Sequence, residues 1–278
     1  MITALIHTRN EEVNLPDCLR SVAWADEIVV ADMRSTDATR KIAEEFGVKI
    51  IDMPLAVVVE PVRNSAISQC SGDWILIVDA DERVPESLAR LLCDLPNDNE
   101  TVAYALPRRN HFLGQWLEHG FWPDYQVRFF RKGAVTWSDN VHEPPSVHGQ
   151  LTSLPANPSA AIEHPGYGGN LSTFIEKLVR YSSLEAQRMS KTGSLPIWPY
   201  LIRRPFGEFY GRYITSEAWR YGMLGLVWSL LMSYYQLLIV VHYWSLNQPS
   251  VDPPMDAAVL RRKVRWEAIR SVSKWVRM

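Results

Sequence analysis

The sequence predicts an α/β protein built on a mostly parallel sheet flanked by helices, with a helical C-terminal extension. Apolar, β-branched runs of strand length recur through the first half and alternate with segments of helical period, the pattern of βαβ units. One run, Trp74 to Val78, is apolar throughout and leads directly into Asp79, Asp81 and Glu82. That is expected of a strand buried on both faces that delivers acids to its carboxyl end, where open α/β sheets bind ligands. Gly222 to Leu246 holds no Asp, Glu, Lys or Arg over 25 residues, long enough for a bilayer span.

Ile2 to Ile6 reads as the first strand, and Asn14 is placed to cap a helix with Leu15, Cys18, Leu19 and Val22 on one face. Glu27 to Asp32 is the second strand, after which Ser35 or Thr36 caps a helix that Gly47 ends. Val48 to Ile51 follows as a strand, residues 61–71 as a helix, and Trp74 onward as the fourth strand. A helix carrying Leu88, Leu91 and Leu92 and a strand from Val102 to Leu106 complete the alternation. Right-handed crossovers then bring Thr8 to Glu11, Asp32 and Asp79 to Glu82 to one crevice. In extended backbone Asp79 and Asp81 project to the same side, with Cβ atoms roughly 7 Å apart.

Composition excludes several classes. The 29 basic and 31 acidic residues leave a net charge of -2, which gives no electrostatic footprint for nucleic acid. Cys18, Cys70 and Cys93 lie in apolar-periodic stretches without zinc spacing, so reduced, buried thiols are expected. The chain opens on a strand rather than a basic and then apolar leader, so no signal peptide is expected and the protein is placed on the cytoplasmic side. Neither a G-x-G-x-x-G after the first strand nor a P-loop occurs. An acidic crevice accepts a phosphate only through a divalent cation, and oxygen ligands suit Mg²⁺ or Mn²⁺.

Thr8-Arg9-Asn10-Glu11-Glu12, Asp32-Met33-Arg34-Ser35-Thr36-Asp37, Arg63-Asn64 and Asp79-Ala80-Asp81-Glu82 together resemble the family 2 glycosyltransferases in order and spacing. The segment His119 to Arg128, followed by Val141-His142-Glu143, is most similar to the bacterial branch that contains lipopolysaccharide-core glucosyltransferases. The resemblance implies a GT-A fold, a nucleotide-sugar donor, expected to be UDP-linked, a divalent cation, and transfer with inversion at the anomeric carbon. It places Thr8, Asn10, Glu11 and Asp32 at the nucleoside and Arg63 at base or diphosphate. Asp81 would bind the metal, Asp79 ribose or a metal-bound water, and Asp124 would be the catalytic base. Trp116, Phe121, Trp122 and Tyr125 around Asp124 are expected to desolvate it and raise its basicity. Where the family usually has glycine this chain has Arg34, which costs about 1 kcal/mol or more if φ is positive there.

Other residues read two ways. Glu82 could ligand the metal but reads better as a cap for the helix starting near Pro85. His142 is a candidate metal ligand or a structural histidine, and Glu143 competes with Asp124 as base. His111, His119 and His164 carry no assigned role. Arg128 would meet the diphosphate, although strand alternation also allows Arg128 and Arg131 to form an exposed polar face.

The proline- and glycine-rich stretch from Pro155 to Gly169 reads as a loop shaping the acceptor entrance, followed by an amphipathic helix from about Leu171. Residues 1–195 are expected to form the transferase domain and residues 196–278 the helical region. The aromatic content of Gly222 to Leu246, with Arg203, Arg204, Arg212 and Arg220 before it and Arg261, Arg262, Lys263 and Arg265 after it, favours an in-plane contact with an anionic cytoplasmic leaflet over a buried helix or a clean span. The expected activity is therefore metal-dependent transfer of a sugar to a glycan or lipid-linked acceptor by a peripheral enzyme of the inner membrane. Its rivals are a sugar-nucleotide-forming nucleotidyltransferase, which usually needs a glycine-rich basic loop, and a non-catalytic membrane scaffold.

Overall fold

The computed structural model describes residues 1–56, 59–97, 100–119, 121–138, 144–167, 171–192, 197–247 and 256–276. The chain divides into two units, Met1–Trp116 with Trp122–Gly169, and Leu117–Phe121 with Asn170–Met278. In the first, β1 (Ile2–Thr8), α1 (Leu15–Ser21), β2 (Glu27–Asp32), α2 (Thr39–Glu45), β3 (Lys49–Asp52), α3 (Glu60–Ser68), β4 (Trp74–Asp79) and α4 (Glu86–Asp94) realise the alternation read from the sequence. The long β5 (Thr101–Phe112) follows, then β6 (Gln115–Trp116), β7 (Asp124–Arg131), β8 (Val135–Thr136), β9 (Ser146–Val147), β10 (Gln150–Ser153) and β11 (Ile162–Tyr167).

Among the described residues the main sheet runs β10-β5-β7-β4-β1-β2-β3, with β6 and β11 also paired to β5. Strands β4, β1, β2 and β3 are parallel, whereas β7 runs antiparallel between β4 and β5. Every residue of β1, and all of β4 before Asp79, is buried, because helices cover both faces. On one face Leu15, Cys18, Leu19, Leu88 and Leu92 pack against Ala4, Ile6, Leu76 and Val78. On the other Val62, Ala66 and Ile67 of α3 meet Leu5, Ile75 and Ile77. At the start of β4 the Trp74 ring stacks on Phe129 at 4.8 Å.

Several local expectations change. Neither Ser35 nor Thr36 caps α2, which begins at Thr39; Ser35 instead bonds Asp32, and the Thr36 N–H bonds Asn10. Asn14 precedes α1 without capping it, its amide being committed to Glu11. Cys18 and Cys70 are buried free thiols as expected, but Cys93 is exposed, since α4 turns Leu88, Ala89 and Leu92 inward instead. The stretch read as a loop contains β11, which pairs in parallel with β5 despite Pro165 and Gly166. Its ladder shifts register between His164 and Tyr167, and an irregular edge strand can hold a residue that donates no ladder bond.

The second unit is helical: α5 (Leu171–Thr192), α6 (Ile197–Tyr210), a π-helical turn at Gly211–Thr215, α7 (Met223–Leu246) and α8 (Ala257–Val276). Trp228 of α7 is almost fully buried, with Phe174 of α5 and Phe121 at 5.8 and 5.6 Å. Gly225 allows α7 to approach the Ala218 carbonyl, which an added Cβ would meet at 1.8 Å. The apolar α7 is therefore buried along one side, while Met223, Leu230, Tyr234, Val241 and Trp244 remain exposed.

At the sheet end opposite the acids, Glu27 accepts hydrogen bonds from Thr3 Oγ1 at 2.5 Å, Ser71 N at 2.7 Å and Ser71 Oγ at 2.8 Å. Partial burial alone would raise its pKa, but these donors and Lys49 outweigh it and hold the carboxyl down at about 2. A depressed carboxylate stabilises the fold above the unfolded-state value near 4.5 and loses that contribution as pH falls toward 2. Urea unfolding of Glu27→Gln is therefore expected to show a flatter loss of stability than wild type between pH 5 and 2, with a lower midpoint at neutral pH.

Candidate active site

The carboxyl ends of β1 and β2 form one flank of the crevice. Asp32 is buried and accepts from Ser35 Oγ at 2.5 Å, Ser35 N at 3.2 Å and Thr8 Oγ1 at 3.3 Å. Asn10 stands at φ 56° and accepts the Thr36 N–H at 2.8 Å, while the Glu11 N–H donates to Thr39 Oγ1 at 2.7 Å. The four nucleoside-pocket candidates Thr8, Asn10, Glu11 and Asp32 thus meet in one hydrogen-bonded loop pair. Arg34 adopts φ 59°, the left-handed conformation that explains why a glycine would suit this position.

On the α3 face of the sheet lies a charged group. Arg128 bonds both oxygens of Asp79, with Nη1 to Oδ1 at 3.3 Å, and Arg63 Nη2 approaches Oδ1 at 4.0 Å. Burial opposes ionisation of Asp79, but Arg128 and then Arg63 prevail and hold its carboxyl well below the usual carboxylate range. Arg63 also lies over the Trp137 ring at 5.4 Å. His7, directly beside Asp79 in the parallel ladder, is buried, and neither ring nitrogen has a hydrogen-bond partner among the described residues. Burial, reinforced by Arg63, lowers its pKa to about 3, so the ring is neutral at physiological pH.

Glu82 is not a helix cap. The first turn of α4 has no side-chain cap, and the Glu82 carboxylate, at 0% exposure, accepts from Asp79 N at 2.9 Å, Arg108 Nη1 at 2.8 Å and Arg128 Nη2 at 3.1 Å. Two inward-facing guanidiniums need a buried anion, and Glu82 supplies it. Arg128 is correspondingly buried rather than part of an exposed polar face. Arg131 of the same strand lies over the Trp74 ring at 5.0 Å.

Arg108 spans from Glu82 to Asp124, placing Nε at 2.9 Å and Nη2 at 2.7 Å from Asp124 Oδ2. Asn110 Nδ2 reaches the same oxygen at 3.0 Å, and Gln126 Nε2 bonds Oδ1 at 2.9 Å. The aromatic desolvation expected around Asp124 does not set its basicity. Burial does act to raise the pKa, but Arg108 and the amides of Asn110 and Gln126 overcome it and lower the value. Trp116 and Trp122 pack edge to face on each other at 5.6 Å, and Phe121 belongs to the helical unit.

Asp79 and Asp81 diverge. Strand β4 ends at Asp79, and a turn closed by Glu82 N–H to the Asp79 carbonyl at 2.8 Å follows, so strand alternation does not extend to Asp81. Reciprocal backbone bonds between Arg83 and Glu163, at 2.8 and 2.9 Å, hold this turn against β11. Asp81 Oδ2 consequently faces His164 Nε2 at 3.4 Å. Gly166 closes the cradle: a Cβ there would lie 2.3 Å from Asp81 Oδ2 and 2.9 Å from His164 Nε2.

Among the described residues no group of three or more His, Cys, Asp or Glu could hold a metal ion. Asp81 and His164 nevertheless fit two positions in a cation's shell, since an oxygen and an imidazole nitrogen face each other beside Gly166, which adds no Cβ there. Asp79, held by two guanidiniums, has a different partner set. His142 and Glu143 lie outside the described residues. Arg108, Asn110, His164 and His7 were not singled out for these positions. A histidine at the polar end of an apolar strand was the available signal for His7, but only the β5 register brings Arg108 opposite Asp124 and Asn110 beside His164.

The family model described as Glycosyl transferase family 2 matches residues 3–149. The chain is 28% identical over 280 residues to the lipopolysaccharide core biosynthesis glycosyltransferase LpsC of Rhizobium meliloti (strain 1021), covering 93% of this chain and 97% of that protein. It is 39% identical over 252 residues to an uncharacterized glycosyltransferase of Rickettsia typhi (strain ATCC VR-144 / Wilmington), covering 85% and 84%. Among solved structures, S. aureus TarS 1-349 aligns with a TM-score of 0.44 at 13% identity, over 87% of this chain and 88% of that one. A Mycobacterium tuberculosis glucosyl-3-phosphoglycerate synthase in complex with Mn²⁺, UDP and glucosyl-3-phosphoglycerate aligns with a TM-score of 0.35 at 20% identity, over 39% and 44%.

Removing Glu82 would leave Arg108 and Arg128 without their shared buried anion. Glu82→Ala is expected to lower the unfolding free energy by about 3–5 kcal/mol, against about 1 kcal/mol for a lost helix cap. Urea denaturation followed by circular dichroism distinguishes the two magnitudes.

Proposed function

The chain belongs to glycosyl transferase family 2, and from that premise we propose that it is an inverting, divalent-metal-dependent transferase of a sugar from a UDP-linked donor to a glycan or lipid-linked acceptor. The observation that carries this reading is the pairing, on one sheet, of an acidic turn facing His164 with a carboxylate at Asp124 held ionised by Arg108. The name of the LpsC relative supports an acceptor in lipopolysaccharide or cell-envelope glycan synthesis.

In this reading Thr8, Asn10, Glu11 and Asp32 receive the nucleoside, and Arg63 and Arg128 face the diphosphate from the α3 side. Asp81 and His164 would hold Mn²⁺ or Mg²⁺, which when bound neutralises charge on the departing diphosphate. Asp124 accepts the proton of the acceptor hydroxyl as its oxygen bonds to the anomeric carbon and the bond to the nucleoside diphosphate breaks. Its lowered pKa keeps it in the proton-accepting form at neutral pH. A weak base of this kind orients the hydroxyl and takes its proton late, once the oxygen has begun to acidify by bonding to carbon.

The enzyme is assigned to the cytoplasmic face of the inner membrane. Support comes from exposed Tyr234, Val241 and Trp244 on α7 and from α8, where Trp266 and Ile269 are exposed together with Arg261, Arg262, Lys263 and Arg265. Apolar and cationic side chains displayed together suit an anionic lipid surface.

A thermal-shift panel of nucleotide sugars is expected to show stabilisation by one UDP-sugar that chelation abolishes; preference for a nucleoside triphosphate would reverse the assignment. Asp81→Ala should lose the Mn²⁺-dependent shift. Asp124→Asn should keep donor binding while its transfer rate falls about 10²–10⁴-fold, and unchanged transfer would remove Asp124 as base. Cosedimentation with phosphatidylglycerol vesicles should weaken on raising salt and on replacing Arg261, Arg262, Lys263 and Arg265 by glutamate; equal binding by that variant would count against the membrane assignment.

A further inference from the structure

Three neighbouring strands carry one continuous chain of polar contacts from the acidic turn to Asp124. Strand β5 lies between β7 and β11, and its register sets Arg108 opposite Asp124 and Asn110 beside His164. Asn110 Nδ2 is 3.0 Å from Asp124 Oδ2, Asn110 Oδ1 is 2.7 Å from His164 Nδ1, and His164 Nε2 is 3.4 Å from Asp81 Oδ2. Asn110 is 1% exposed and His164 6%, so the Asn110 amide depends on these partners.

The chemistry of Asp124 orients every link. Its Oδ2 already accepts two N–H bonds from Arg108, so it is an ionised acceptor and Asn110 must present its NH₂ to it. The other end of the amide is then a carbonyl, which can only accept. His164 must therefore carry a proton on Nδ1, which makes Nε2 the nitrogen that faces the Asp81 carboxylate. A carboxylate oxygen and an imidazole nitrogen that carries no proton can share a cation. Gly166 adds no Cβ to the same space.

We propose that Asn110 is a positioning residue that joins the two halves of the site: one amide selects the His164 tautomer that can share a cation with Asp81 and also restrains the carboxylate of Asp124. The inference rests on the metal-dependent transfer proposed above and adds a coupling between cation binding and proton acceptance. A histidine that ligates through one nitrogen is commonly fixed by the hydrogen bond of the other, and losing that outer partner typically costs 10- to 100-fold in metal affinity.

Two substitutions separate this role from general support. Asn110→Ala removes both bonds and is expected to weaken Mn²⁺ binding 10- to 100-fold and to lower kcat. Asn110→Asp keeps an oxygen to accept from His164 Nδ1 but turns a second oxygen toward Asp124. It is expected to bind Mn²⁺ at least as tightly as wild type, to leave donor KM within about threefold and to lose at least tenfold in kcat. Mn²⁺ affinity is read on the full chain by electron paramagnetic resonance titration with UDP present, and folding by circular dichroism. Nitrogen-15 spectra of the imidazoles, with the His164 signal found by comparison with His164→Gln, should show protonation on Nδ1 in wild type.

If wild type binds Mn²⁺ and Asn110→Ala binds equally well with unchanged kcat, the Asn110 role is overturned while the metal-dependent reading stands. A parallel loss of affinity and kcat in both variants overturns it in favour of a purely structural residue, as does His164 protonated on Nε2 alone. Failure of wild type to bind Mn²⁺ defeats the metal-dependent reading and this proposal with it. If Asn110→Ala does not fold, the Asn110→Asp split and the imidazole spectrum decide the outcome.

Discussion

The buried carboxylate of Glu82 is the constraint on which the site depends. It lies beneath the acidic turn with no exposed surface and engages Arg108 on one side and Arg128 on the other. Each arginine has a second carboxylate to serve: Arg108 grips Asp124 and Arg128 grips Asp79. One side chain thereby fixes the relative placement of two other acids, Asp79 on β4 and Asp124 on β7. Such an arrangement contributes through completeness rather than ion-pair strength, because desolvating charges costs several kcal/mol per ion and removing any partner leaves another buried and uncompensated.

The same network divides the acids by chemistry. Asp79 is neutralised by guanidiniums, and Asp124 is tied to one guanidinium and two amides. Asp81 instead faces an imidazole beside a glycine. Carboxylates that look equivalent as letters thus occupy three electrostatic environments. Beside them, His7 is kept neutral first by burial and then by Arg63.

Much of the sheet was legible because its cause is local. Continuous apolar runs such as Ile75–Val78 and the 3.6-residue recurrence of Leu15, Cys18 and Leu19 act over a few residues, and tertiary packing preserved them. The meeting of Thr8, Asp32 and the acidic turn follows from right-handed crossovers between parallel strands. Less was legible where a side chain had competing partners. Glu82 has the spacing of a cap residue but meets two arginines that follow it by more than 20 positions, and Ser35 has the chemistry of a cap but is taken by Asp32. The contribution of Asn110 and His164 was illegible for a different reason: β11 is short, holds Pro165 and Gly166, and lacks the pattern that would reveal its pairing with β5.

The length of β5 has a consequence for how such a protein can change. Over 12 residues this strand pairs with β6, β7, β10 and β11, and it presents Arg108 and Asn110 two positions apart on the same face. Inserting or deleting one residue upstream of Arg108 would reverse the faces of all that follow, since strand side chains repeat every two residues. Arg109, now paired with Glu163 and packed on Trp116, would then be aimed at Asp124. The strand therefore behaves as a fixed ruler: a change of length is tolerated in the connections around it, where no residue of the ladder changes face, and not within the spacing of its charge-bearing residues.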